Sequence, residues 1–236
     1  MVKKLKESGA IVLGKTNLSE WAYYFCIGCP LGYSAIGGQT LNPYGRKVFE
    51  SGGSSSGSGV AISANFSSVS LGSETSGSIL SPSSLNSIVG LKPTIGLVSR
   101  TGIVPISSTL DTSGPMTKNV IDNAIVFNTI MSYDSEDKYS KEKIIIDYNK
   151  ISSSSVEGKK FGVFKGLLDE SLYSKAIEDI ENAGGIIIEF NPPEIDFSGF
   201  RKILDVDMKN ELPEYLSKYS KNNLFVKNIS DIINFN

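Results

Sequence analysis

The sequence predicts an α/β protein, and three observations carry that prediction. Residues 160–190 read as strand, helix, strand: KFGVFK at 160–165, a helical run at 171–183, then GIIIEF at 185–190. That order is the pattern of an α/β unit. Residues 52–78 set two Gly/Ser-rich turns around Val60, Ala61, Ile62, Ala64 and Phe66, with Ile79 and Leu80 following. A flexible linker shares the Gly/Ser content but not these apolar residues, which need a core. The chain has 236 residues, 40% hydrophobic and 20% charged, enough for one large domain or two small ones.

Taken in order, residues 2–8 have the pattern of an amphipathic helix stopped by Gly9, and residues 10–13 form a short apolar run that reads as a buried strand ended by Gly14. Asn17 is placed to cap a helix starting at Leu18, with Glu20 at the capping-box spacing. Residues 26–53, punctuated by Gly, Pro and Asn, predict a long loop, and such a loop inside a domain is usually functional. Residues 58–66 predict a buried helix, 69–71 a strand and 72–78 a turn. Residues 88–106 give short extended pieces, 117–131 an amphipathic helix, and 133–158 a polar surface excursion. In the α/β unit, Ser171 is placed as the cap of the helix that Gly184 and Gly185 end. Residues 198–220 are helical in pattern but interrupted by Pro213, and no terminal element is predicted after them.

Composition excludes several functions. The chain contains no histidine, which removes a Ser-His-Asp triad and histidine metal sites. A formal net charge of -2, with arginine only at Arg46, Arg100 and Arg201, argues against a nucleic-acid footprint. No apolar run is long enough for a membrane span, and the one near the N-terminus is too short for a signal peptide, so the cytoplasm is the expected compartment. Cys26 and Cys29 form a bare C-x-x-C, which reads as two reduced thiols in a loop in preference to a redox pair. No cofactor and no metal is expected.

The two serine-bearing turns suggest amide chemistry. Opening an amide needs an activated oxygen nucleophile and donors aimed at the developing oxyanion. Small consecutive residues at 73–78 let several backbone N–H groups point to one spot beside the Ser78 hydroxyl, and the Gly52-Gly53-Ser54 turn can bring a second hydroxyl near. A phosphate-loop reading fails because no lysine follows the glycines, and a dinucleotide reading fails because no strand leads into them. A Gly/Ser-rich loop in a protein of other function is the competing interpretation.

The run GGSSSGSG, GSETSGSI, NSIVGLKPTIGLVSRTGIVPIS and LDTSGPMT, preceded by GAIVLGKTNLSEWA, resembles the amidase signature family, in its bacterial amidase and peptide-amidase-like branch. The motifs span residues 1–130, with a looser likeness beyond. The resemblance implies an amidase-signature fold, a mixed β-sheet covered by helices, here incomplete: residues 1–236 as a partial domain, with a signature-bearing core at 1–131 and an α/β continuation at 159–236. It implies a Ser–cis-Ser–Lys mechanism that cleaves a carboxylic amide to acid and ammonia or amine. Ser78 matches the nucleophile. Ser54 matches the bridging serine, whose peptide bond from Gly53 is cis in the family. Thr75, Ser76, Gly77 and Ser78 match the oxyanion-hole backbone.

There are departures. The family's catalytic lysine lies upstream of the GKTN motif, and Met1 matches an internal position of the family pattern, so the lysine-bearing strand and the family's C-terminal part are expected to be missing. Lys15 and Lys92 sit elsewhere in the motifs, and a base lysine needs a buried site that lowers its pKa. The chain alone is therefore expected to be nearly inactive, which leaves open a non-catalytic remnant or a partner-dependent fragment. Ser76 stands where the family often has Gly, and Leu80 where many members carry Arg. LSEWAYY after GKTN differs from the usual MDEFAMG of the amidase component of a tRNA-dependent amidotransferase, which argues against that component. Expected partners are a small-molecule or peptide amide, with no nucleic acid or membrane, and self-association through exposed core surface.

Overall fold

The computed structural model describes residues 1–25, 28–221 and 225–235. Helix α1 (Val2–Glu7) ends where Gly9 turns to φ 88°. Strands β1 (Tyr33–Ser34) and β2 (Gly38–Gln39) form a small antiparallel hairpin in the long loop. Then come α2 (Ser56–Ser63), β3 (Val69–Glu74), α3 (Leu80–Leu85), β4 (Val89–Gly90), β5 (Thr112–Thr117) and α4 (Val120–Ile130). The Asn119 side chain accepts from the Asp122 N–H and caps α4. Strand β6 (Lys160–Phe164), α5 (Ser171–Asn182) and β7 (Ile186–Phe190) follow, then α6 (Phe200–Tyr219) and α7 (Ile229–Phe235). No helix among the described residues is long and apolar enough to cross a membrane.

The chain divides into two compact units, one of Met1–Ile146 with Phe200–Asn236, the other of Asp147–Gly199. The sequence pattern groups 159–236 as one continuation, whereas here the segment from Phe200 onward packs with the first unit. The second unit is the predicted strand–helix–strand: β6 and β7 pair in parallel, and Gly184 at φ 85° ends α5. Glu170, not Ser171, occupies the N-cap of α5 and makes no side-chain cap.

In the first unit the sheet runs β3-β5-β4, antiparallel throughout. Its central strand, TSGPMT, is buried at every position, and the sequence pattern missed it. Pro115 hides it, because a proline cannot donate to a ladder and argues against a central strand. One face packs on Leu97, Val98, Val126, Phe127, Ile130 and Met131, joined by Leu5, Val69 and Leu71. A second cluster gathers Ile106, Leu204, Met208, Leu212 and Ile232. It explains why α6 runs through Pro213 without interruption. An interior proline costs about 3 kcal/mol, but each buried Leu or Met returns about 1.5–3 kcal/mol, and three such residues line the inner stripe.

Residues 10–13 correct the expectation of a buried strand. They form neither strand nor helix, and Ile11 is 85% and Leu13 74% exposed. Asn17 caps no helix: its amide donates to Gly32 O, Gly38 O and Thr40 Oγ1, and its carbonyl accepts from Ser34 Oγ, so it pins the hairpin instead.

Gly114 allows β4 to approach β5. A Cβ there would lie 2.0 Å from the Leu91 carbonyl oxygen, a backbone atom that cannot swing away. Gly114→Ala is expected to cost at least about 2 kcal/mol by overpacking, read as a lowered urea midpoint. An unchanged midpoint would show that the β4–β5 pairing shifts freely.

Candidate active site

Two turns meet at the ends of α2 and β3. In the first, residues 51–55 are buried and the Gly53–Ser54 peptide bond is cis. Gly52 adopts φ 66°, and a Cβ on it would lie 2.7 Å from Pro82 Cα, so only glycine admits this close crossing by α3. The Ser54 carbonyl accepts from Ser19 N at 3.0 Å, and Ser56 Oγ donates back to Gly52 O at 2.6 Å.

Helix α2 carries hydroxyls where a core helix ordinarily carries aliphatic side chains, and they have a use. Strand β3 ends its sheet, so one side of its backbone has no neighbouring strand among the described residues. Ser55 Oγ donates to Ser73 O at 3.0 Å and accepts from Ser73 N at 3.1 Å, while Ser58 Oγ donates to Leu71 O at 2.8 Å. Two serines one helical turn apart thus supply what a paired strand would supply. Ser55 N also donates to Ser78 O at 3.1 Å. That bond joins the turn after Ser54 to the residue predicted as nucleophile.

In the second turn, the backbone N–H groups of Thr75, Ser76, Gly77 and Ser78 have no acceptor among the described residues. The next two are taken: Ile79 N and Leu80 N both donate to Glu74 Oε2, at 2.7 and 3.0 Å. Glu74 is only 4% exposed, so a carboxylate buried at the end of β3 draws the turn closed and leaves its earlier donors open. Gly77 stands at φ 83° with nothing among the described residues within 4 Å of where a Cβ would be, so those residues leave open space beside the donors. Such a cluster of unpaired N–H groups suits an anionic oxygen.

Behind the turn, Thr75 Oγ1 donates to Asp111 Oδ1 at 2.5 Å. Asp111 Oδ2 accepts from Ile106 N and Ser107 N, both at 2.9 Å. Burial pushes the Asp111 carboxyl above the usual carboxylate range, against the pull of these donors and of Arg100.

The structure joins the turn that carries Ser54 to Ser78 through Ser55 N on Ser78 O, with Thr75, Ser76 and Gly77 in the same turn as Ser78. Among the described residues neither serine hydroxyl is hydrogen-bonded and no lysine ammonium reaches either one; Lys92 Nζ donates to Pro93 O and Lys118 Nζ to Ser63 O. Among the described residues no group of three or more Cys, Asp or Glu is arranged to hold a metal ion. Cys29 is disulfide-bonded, which corrects the expectation of a reduced thiol there; Cys26 lies outside the described residues. The supporting residues Ser55, Glu74 and Asp111 were not singled out by the sequence. The available signal for Glu74 was one acid among small residues just before an apolar pair.

The amidase family model matches residues 1–233. A probable amidase of Arabidopsis thaliana is 39% identical over 248 aligned positions, which cover 100% of this chain and 48% of that protein. A putative amidase of Schizosaccharomyces pombe is 35% identical over 265 positions, covering 100% of this chain and 45% of that protein. The crystal structure of the native peptide amidase from Stenotrophomonas maltophilia superposes with a TM-score of 0.91 at 38% identity, covering 100% of this chain and 50% of that one. An amidase family protein from Bacillus anthracis gives a TM-score of 0.88 at 40% identity, with 100% and 48% covered. The chain thus spans about half the length of the relatives it matches, and over that span, in fold and in sequence, it belongs to the amidase family.

Proposed function

We propose that these residues carry the nucleophile and oxyanion donors of an amide hydrolase of the Ser–cis-Ser–Lys type. The observation that supports this best is the pairing of the turns: Ser55 N on Ser78 O, beside four open N–H groups at residues 75–78. Ser78 Oγ attacks the amide carbon and passes its proton to Ser54, and Ser54 relays it toward a lysine base. The carbonyl oxygen, now negative, sits against the open N–H groups; each such donor is worth roughly 10²–10³ in rate. The relay returns a proton to the departing nitrogen, leaving an acyl ester on Ser78 that water opens to the acid.

No lysine lies against either serine among the described residues, and this favours a second interpretation in which the 236-residue chain alone does not turn over. A general base contributes roughly 10²–10⁴ in rate, and groups that act together fail together. The test uses the purified chain, its Ser78→Ala variant, a serine-reactive phosphonate and a panel of small amides and peptide amides. Each is run with and without the lysine-bearing segment of a full-length relative supplied separately. Ser78-dependent labelling, with turnover only when the segment is added, is the expected result. Turnover without it would show that a lysine of this chain serves as base. No labelling of folded protein under either condition would reject the hydrolase proposal.

A further inference from the structure

We propose that Asp111 is a positioning residue for the oxyanion turn: its carboxylate, fixed by the loop before β5, holds Thr75 and thereby sets the open N–H groups of residues 75–78. The role in catalysis rests on the proposed hydrolase function; the hold on the turn does not.

The two oxygens of Asp111 do different work. Oδ2 takes the Ile106 and Ser107 N–H groups, which is an ordinary way to close a short loop. Oδ1 leaves that loop and takes the hydroxyl of Thr75, the first residue of the open turn. A carboxylate 8% exposed is costly to bury, and closing the loop alone would not need one. The loop is itself braced from α6. Ser107 Oγ donates to Asp207 Oδ2 at 2.5 Å, Thr109 Oγ1 donates to the same oxygen at 3.0 Å, and Ser108 N donates to Glu211 Oε2 at 2.9 Å. Ile106 packs with Leu204, Met208 and Leu212. A continuous set of contacts therefore runs from α6 through the loop and Asp111 to Thr75. At its other end, Glu74 fixes the turn through Ile79 and Leu80. The turn is held at both ends, and only its middle donors are free.

The test compares Thr75→Val, Thr75→Ser and Asp111→Ala with the unaltered chain. Native-state hydrogen exchange is read at Ile79, Leu80, Ile106 and Ser107, and phosphonate labelling at Ser78. Thr75→Val leaves the loop bonds of Asp111 in place, so it separates the hold on the turn from loop closure. Expected is roughly tenfold faster exchange at Ile79 and Leu80 in Thr75→Val, with Ile106 and Ser107 unchanged and with recovery in Thr75→Ser. Asp111→Ala is expected to accelerate all four, and labelling is expected to fall in step with exchange at Ile79 and Leu80. The proposal is overturned if exchange at Ile79 and Leu80 in Thr75→Val stays as in the unaltered chain, because Asp111 would then only close its own loop. Should Asp111→Ala not fold, the two Thr75 variants decide. If the unaltered chain shows no labelling at Ser78, the nucleophile assignment fails, while the exchange arm still decides whether Asp111 holds the turn.

Discussion

Glu74→Ala is expected to destabilise the first unit by about 3–5 kcal/mol and to abolish labelling at Ser78. The Glu74 carboxylate is buried and accepts from both Ile79 N and Leu80 N. A hydrogen bond to a charged group contributes about 1.5–3 kcal/mol, and a buried N–H left without a partner costs the same order again. Total stabilities of domains lie near 5–15 kcal/mol, so this one change removes a large part. Ile79 is fully buried, and no water reaches it to replace the lost acceptor. Glu74→Gln keeps one neutral acceptor and is expected to lose about half as much. Denaturant unfolding of the two variants checks the order. Equal, small losses would show that the turn closes without Glu74.

The second large effect is expected at Arg100→Met. The Arg100 and Asp137 side chains are 10% and 3% exposed, with Arg100 Nη2 2.5 Å from Asp137 Oδ1. Asp137 Oδ2 also accepts from Arg100 N and Nε at 3.0 Å, and Oδ1 from Tyr139 N at 3.0 Å. Removing one partner of such a pair strands the other charge, which costs about 3–5 kcal/mol. The pH dependence carries a sign. Burial alone would raise the Asp137 carboxyl, but Arg100 and the backbone donors hold it below the usual carboxylate range. The stability from Asp137 is therefore complete above the unfolded-state value and is lost as pH falls through the lowered folded-state value. In Arg100→Met only burial and the N–H groups remain, and the stranded carboxylate is relieved by taking up a proton. The difference between the two proteins is expected to narrow as pH falls through the carboxylate range. A constant difference across that range would show that Asp137 is not the group being stranded.

Local signals made the α/β class, the α5 unit and the two serine turns legible in the sequence. Gly184 and Gly9 end their helices as glycines do, and the apolar run of 185–190 has no other good use. What stayed hidden depends on partners far along the chain. Strand β5 is a strand because β3 and β4 flank it, whatever Pro115 suggests by itself. Helix α6 ignores Pro213 because Leu204, Met208 and Leu212 have a core to enter. In the site, Ser54 and Ser78 were visible as members of motifs. Glu74 and Asp111 were not, because their value lies in N–H groups and a threonine hydroxyl that only the folded chain places against them.

The bracing of the loop before β5 by α6 also orders events during synthesis. The contact from Ser107 to Asp207 spans 100 residues, whereas Ser55 and Ser73 lie only 18 apart. A ribosome adding about 5–20 residues per second needs roughly 5–20 s to cover the longer interval. During that time the serine turns can already meet, but the segment that steadies the loop behind them does not yet exist. The emerging chain thus gathers its hydroxyls early and gains the final support of the turn with the open N–H groups late, once α6 has left the exit tunnel.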